Sequence, residues 1–119
     1  MVYMLLIYAA EADWVHQTPE EMQPVLDAHQ ALEDDLRAAG KYLACGGLAP
    51  TAAARTLRLR NNQPMVVDGP FAETKEQFGG FYLLEAESSD EALEYARRIP
   101  GVPNRAIEVR PVALFSPTR

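Results

Sequence analysis

Asp68 is the residue of this chain best placed to do chemistry. It follows Met65-Val66-Val67, which has strand character, and runs into Gly69-Pro70-Phe71-Ala72-Glu73-Thr74-Lys75-Glu76-Gln77. Gly69 frees the backbone for a tight bend, while Pro70 restricts Gly69 to extended geometry and fixes its own φ. The carboxylate is therefore held at a strand end by a stiff turn, with Val67 and Phe71 as apolar neighbours. Apolar surroundings disfavour the charged form of a carboxyl group and suit it to general acid or base work. The competing expectation is an Asx-type turn, in which the carboxylate only accepts backbone N–H groups.

Two histidines could handle protons with it. His29 lies three residues after Leu26 and three before Leu32, so it points with the apolar stripe of its helix. That position suits a core histidine with one hydrogen bond, or an acid–base partner reaching across the sheet. His16 lies beside Trp14 in the polar stretch Glu11 to Gln17. These two read as a packing anchor or as a lid over a site, with His16 as the proton carrier.

Residues that could contact a ligand are Tyr8 and Tyr82 through their hydroxyls, Gly69, Pro70 and Phe71 of the turn, Lys75, and Gly80. Tyr3 joins the tyrosines, although buried tyrosines mostly pack with a satisfied O–H. Gly79-Gly80 removes side chains from a strand start, leaving room for a ligand or for another backbone. Arg58, Arg60 and Lys75 read as a cationic patch for an anion or as a solvated strand face. Metal binding is not expected: His16 and His29 are thirteen positions apart and Cys45 is alone, which matches no usual ligand spacing. There is no Gly-x-Ser-x-Gly elbow, phosphate loop or dinucleotide fingerprint, and nothing calls for a cofactor.

The elements that must position these residues follow in order. Val2 to Tyr8 is apolar throughout, as a strand buried on both faces is. Thr18-Pro19-Glu20-Glu21 opens a helix with a capping box and Pro at the first position. Met22, Val25, Leu26, Leu32 and Leu36 mark its buried stripe, and Gly40 stops it. Tyr42 to Leu48 reads as a second strand with a kink or bulge at Gly46-Gly47, followed by a small-residue connection from Ala49 to Ala54. Thr56 to Arg60 alternates, Asn61 to Pro64 supplies a hairpin turn, and Met65-Val66-Val67 returns. Ala72 to Gln77 forms an irregular turn before a strand from Phe78 to Glu85. Ser88-Ser89-Asp90-Glu91 caps a second helix through Ile99, and Pro100-Gly101 ends it. Ala106 to Arg110 is the last strand, with Pro111 marking an edge.

This order gives an α+β fold, a ferredoxin-like split βαβ with an inserted β-hairpin, in one domain over residues 1–119. Two helices cover one face of such a sheet. The first strand and Phe81-Tyr82-Leu83-Leu84 are apolar on both faces, so the uncovered face is expected to meet a second copy.

The intact Asp68-Gly69-Pro70-Phe71, its extension to Gln77 with Gly79-Gly80, the opening Tyr3 to Tyr8 and the closing Ile107 to Pro111 resemble the YCII-related, DGPF-motif proteins over nearly the whole chain. The resemblance implies a ferredoxin-like unit that dimerises sheet to sheet into an α+β barrel, with an active site near the motif Asp and no assigned reaction. It also implies an alternative role as a regulatory module, because such proteins resemble partners of extracytoplasmic-function sigma factors. Glu73, Lys75, Glu76 and Trp14 would then form a surface epitope.

Composition narrows the function classes. The chain has 119 residues, 48% of them apolar, and a net charge of −6. An acidic domain lacks the clustered cations of a direct nucleic-acid binder. The run from Met4 to Ala10 is too short to span a membrane, and no basic segment precedes it as in a secretory signal. One cysteine, Cys45, fits a reducing, cytoplasmic setting. The expectation is a cytoplasmic homodimer that binds an unknown small molecule and transforms it by acid–base chemistry.

Overall fold

One capping box, one serine cap and one left-handed glycine delimit the helices. The computed structural model describes residues 1–117. Thr18 accepts from the Glu21 N–H while the Glu21 carboxylate accepts from the Thr18 N–H, and α1 runs Pro19–Ala38. At its end Gly40 takes φ 71°, so that Gly40 and Lys41 donate back to Arg37 and Leu36. Ser88 caps α2 (Ser89–Arg97) in the same way through the Glu91 N–H. The strands are β1 (Val2–Ala10), β2 (Tyr42–Gly47), β3 (Arg55–Arg60), β4 (Gln63–Asp68), β5 (Glu76–Glu85) and β6 (Ala106–Pro111). Short 3-10 turns lie at Glu11–Asp13 and Thr51–Ala53.

The sheet order is β2-β5-β1-β6, antiparallel throughout, and β3 pairs with β4 in a separate two-stranded sheet. Each helix crosses between strands separated by one other strand. This is an α+β, ferredoxin-like arrangement with the hairpin inserted between β2 and β5. Asn61 and Asn62 both take positive φ, as a two-residue type I′ hairpin turn requires, so the return strand starts at Gln63 and includes Pro64. The edge position expected for Pro111 is found on β6. Among the described residues no helix is long and apolar enough to cross a membrane.

Strand alternation sorts the sheet's side chains. Tyr3, Leu5, Tyr82 and Leu84 point to the helices and join Leu32 and Leu36 of α1 and Ala92 and Ala96 of α2 in the core. Met4, Leu6, Tyr8, Phe81 and Leu83 point the other way and stay half-buried, with neither helix on that face. The stripe of α1 departs from its expected burial. Leu32 and Leu36 are buried, but Met22 and Leu26 are 37% and 51% exposed, so the full burial of α1 is confined to its second half.

The glycines do different work from the expected kink. The irregularity in β2 falls between Tyr42 and Ala44, and the bulge opposite β1 falls between Ile7 and Tyr8, where Gly79 is the extra residue on β5. Gly46 makes room for Phe81, whose ring would lie 2.9 Å from an added Cβ. At Gly80 an added Cβ would sit 3.0 Å from the carbonyl oxygen of Gly46, while at Gly79 it meets nothing closer than 4.0 Å. Backbone cannot yield as a flexible side chain can. Gly80→Ala is therefore expected to destabilise the fold by about 1–3 kcal/mol, and Gly79→Ala by clearly less. Urea unfolding of both variants checks this, and equal midpoints would refute it.

Candidate functional site

The motif begins where β4 runs out. Asp68 pairs in register with Arg55 of β3, and the hairpin ladder continues one step beyond it. The Gly69 N–H donates to the Ala54 carbonyl at 2.8 Å, and the Gly69 carbonyl accepts from Thr56 Oγ1 at 2.8 Å. Gly69 takes φ 105°, a conformation that glycine alone adopts readily, so this turn needs a glycine there. No Asx turn forms: the Gly69 N–H is engaged across the hairpin, and no hydrogen bond to the Asp68 carboxylate is found among the described residues. The Asp68 side chain is 95% exposed, with Arg55 Nε at 3.8 Å. A surface pair of that length contributes little to stability.

The rest of the motif is clamped by its own side chains. Gln77 Nε2 donates to the carbonyls of Ala72 and Thr74 at 2.9 and 3.0 Å, and Thr74 Oγ1 donates to the Glu76 carbonyl at 2.6 Å. The irregular turn expected over Ala72 to Gln77 is shorter than that, since Glu76 and Gln77 already belong to β5, and the Gln77 amide fastens it. Phe71 stands free of the core, and the Arg58 guanidinium lies over its ring at 4.9 Å.

This clamped loop walls two adjoining open clefts. One, of about 370 Å³, has Tyr8, Leu48, Pro70, Phe71 and Phe78 as its apolar side. The other, of about 400 Å³, is lined by Glu11, Asp13, Pro70, Glu73, Lys75 and Gln77. Thr51, Pro70, Thr74 and Gln77 belong to both. Each volume suits a small organic molecule. The Tyr8 hydroxyl donates to Glu108 at 3.2 Å, and its ring meets Phe78 at 5.7 Å. Partial burial and then the Glu108 carboxylate raise the Tyr8 pKa, so it stays a neutral phenol.

Glu11 escaped the sequence reading. Its carboxylate accepts from the Thr51 N–H at 2.7 Å and from the Thr51 hydroxyl, fixing the turn after β1 to the turn after β2. No spacing rule links positions forty residues apart. The small-residue connection from Ala49 to Ala54 gives no sign of this contact in the sequence.

The candidate residues fall into separate groups. Tyr8, Pro70, Phe71 and Lys75 line the clefts, and Gly69 shapes the turn beside them. Asp68 lies two residues before Pro70 but lines neither cleft. Gly80 is filled by the β2 backbone, as described above. His16 is exposed on the loop beside half-buried Trp14. Among the described residues no group of three or more His, Cys, Asp or Glu side chains could hold a metal ion.

His29 and Tyr82 meet on the opposite side of the sheet, under α1. His29 Nδ1 lies 2.6 Å from the Tyr82 hydroxyl, with the rings nearly parallel. Burial, then the charge of Arg105, lower the His29 pKa, and burial first of all raises that of Tyr82. Both groups are therefore held in their uncharged forms and share one hydrogen bond between Nδ1 and the phenol oxygen. Tyr82 belongs to the core and faces away from the clefts, and the partner of His29 is Tyr82 rather than Asp68. On the same side the Tyr42 hydroxyl donates to Cys45 Sγ at 3.2 Å, with Arg37 stacked over the Tyr42 ring.

Comparison with known sequences agrees with this architecture. A family model described as YCII-related domain matches residues 1–116. An uncharacterized protein of Rhizobium meliloti (strain 1021) is 41% identical over 119 residues, which cover 98% of this chain and 96% of the relative.

The His29 environment sets a pH dependence. A histidine whose pKa is lower in the folded state contributes its stability in full above the unfolded value of about 6.5 and loses it as pH falls toward the folded value. Urea midpoints are expected to fall on acidification through this range. His29→Gln should flatten that part of the curve, and an unchanged slope in the variant would contradict the assignment.

Proposed function

The chain belongs to the YCII-related family, and on that premise we propose that it acts as a homodimer binding a small organic molecule in the clefts beside the motif. The observation that carries this reading is the continuity of two surfaces. Tyr8 and Phe78 line a cleft and also end the half-buried apolar face of the sheet that the helices leave open. A second copy laid on that face would cover Met4, Leu6, Phe81 and Leu83 and at the same time roof the cleft. The dimensions of one chain support an assembly. Its radius of gyration is 16.0 Å, against about 13.5 Å for a compact domain of this length.

In this reading the ligand's apolar body lies against Leu48, Phe71 and Phe78, and the Tyr8 hydroxyl and Lys75 supply polar contacts. Asp68 is the proton-handling residue. Its backbone is fixed by Gly69, Ala54 and Thr56, and among the described residues no hydrogen bond occupies its carboxylate. Its desolvation would come from the second copy. A protein partner such as an extracytoplasmic-function sigma factor is the competing reading, favoured by the exposure of Phe71 beside Glu73, Lys75 and Glu76. The cysteine content fits a cytoplasmic location.

Sedimentation of the full chain tests the dimer, and a thermal-shift screen of small aromatic and aliphatic compounds tests the site. Tyr8→Ala is expected to abolish the shift given by any ligand found. With a ligand that is turned over, Asp68→Asn should lower the rate by about 10²–10⁴ with binding retained. Unaltered turnover in that variant removes Asp68 from the chemistry. A screen without hits, together with capture of a sigma factor that fails for Phe71→Ala, would favour the protein partner.

A further inference from the structure

The two adjoining clefts differ in the character of their walls. The one lined by Glu11, Asp13 and Glu73 has a single cation, Lys75. Its neighbour adds Glu76 and no cation, but is walled by Tyr8, Leu48, Phe71 and Phe78. Together the clefts hold four acids to one base, against 17 to 11 in the whole chain, so the excess is local.

This arrangement is more than a solvated acidic edge. The apolar cleft is an independent reason to expect a ligand, and it opens into the acidic one through shared walls at Thr51, Pro70, Thr74 and Gln77. Thr51 also fixes Glu11 beside that junction, through its N–H and its hydroxyl. Both donors are neutral, so they hold the half-buried Glu11 carboxylate in place without cancelling its charge. Asp13, Glu73 and Lys75 enter no ion pair among the described residues. Lys75 therefore offsets one charge of three, and the cleft stays anionic. A cleft lined by one sign of charge focuses its field and concentrates ligands of the opposite sign.

We propose that the paired clefts take an amine, with its protonated amino group beside Glu11, Asp13 and Glu73 and its apolar body against Leu48, Phe71 and Phe78. The proposal rests on the reading of these clefts as the ligand site. It adds the charge of the ligand, which that reading leaves open. A carboxylate or phosphate head would meet three acids with Lys75 as its one counter-charge, and neither cleft is lined by an arginine. The aromatic walls favour the same choice, because the faces of Tyr8, Phe71 and Phe78 attract cations and repel anions. One ligand thus satisfies both halves of the site.

Calorimetric titration of the full chain with matched probes tests the charge. Phenethylamine, phenethyl alcohol and phenylacetate share a body and differ in head charge. Hexylamine, hexanol and hexanoate repeat the comparison with a flexible body. In at least one set the amine is expected to bind about tenfold more tightly than the alcohol, with the carboxylate weakest. Added salt should shrink that advantage. The double variant Asp13→Asn with Glu73→Gln should bring amine and alcohol to within about threefold of each other. Both side chains are exposed, so the fold is not at stake, and a ratio is insensitive to a general weakening of the cleft. An alcohol or carboxylate that binds as tightly as its amine would overturn the proposal and leave the clefts as the ligand site. An amine preference that survives the double variant would overturn its assignment to these carboxylates. If no member of either set binds, the proposal and the reading beneath it both fall.

Discussion

One-sided coverage of the sheet is the constraint on which the rest of the molecule depends. Two helices reach one face of β2-β5-β1-β6, yet the central strands β1 and β5 are apolar on both. Their alternation therefore sends otherwise similar side chains into different environments. Tyr82 goes under α1, is buried, and has its hydroxyl bound to His29. Tyr8 goes to the other face, keeps partial contact with solvent, and bonds to Glu108 beside a cleft. Both phenols keep their protons, but only Tyr8 can present its hydroxyl to a molecule arriving from outside. The sheet thus divides the chain's polar groups into a structural set and an accessible set before any chemistry is considered.

Within the motif most residues have an evident structural reason. Gly69 supplies a backbone conformation, Pro70 walls both clefts, Phe71 holds Arg58, and Gln77 fastens the loop. Asp68 is different. Its backbone ends the hairpin ladder, but its side chain makes only a long surface pair with Arg55, which many residue types could replace at little cost to the fold. A charged residue at a fixed position, with no folding role for its charge, is where function is best sought. The same reasoning moves His29 the other way. Its ring has a buried partner at hydrogen-bond distance and a place in the packing of α1, so the fold alone accounts for it.

Local signals in the sequence were enough for the elements but not for every boundary, since β4 begins at Gln63 and β5 at Glu76, inside stretches that read as turns. The Thr18 and Ser88 caps, the glycine at position 40 and the alternation in β3 and β6 each act over a few residues, and each is realised. What could not be read were relations between distant segments. Periodicity marks Met22 and Leu26 as members of an apolar stripe, but it cannot say how far along the helix the burial extends, and it does not reach them. The Gly46-Gly47 pair suggests a kink or bulge, but Gly46 makes room for a ring on the neighbouring strand, which needs the register of β5 to be seen. The Glu11–Thr51 contact and the His29–Tyr82 pair belong to the same class. The candidate site was legible as a motif, and its walls were not, because they come from three separate stretches of the chain, 8–13, 48–54 and 70–78.

The inserted hairpin joins assembly to chemistry. It is tied to the motif by the Gly69–Ala54 and Thr56–Gly69 hydrogen bonds, so Asp68 is only as well ordered as the arm that carries it. The arm has few internal apolar contacts and both of its faces in solvent, which places it at the low end of local stability. Any partner that covers the arm therefore orders the end of β4 as well, and lowers the dielectric around a carboxylate that the lone chain leaves in water. Acid–base chemistry at a carboxylate needs that change of surroundings. The exposure of Asp68 in one chain is therefore compatible with the proposed proton-transfer role, which would then belong to the assembled protein, with the hairpin as the link between the two.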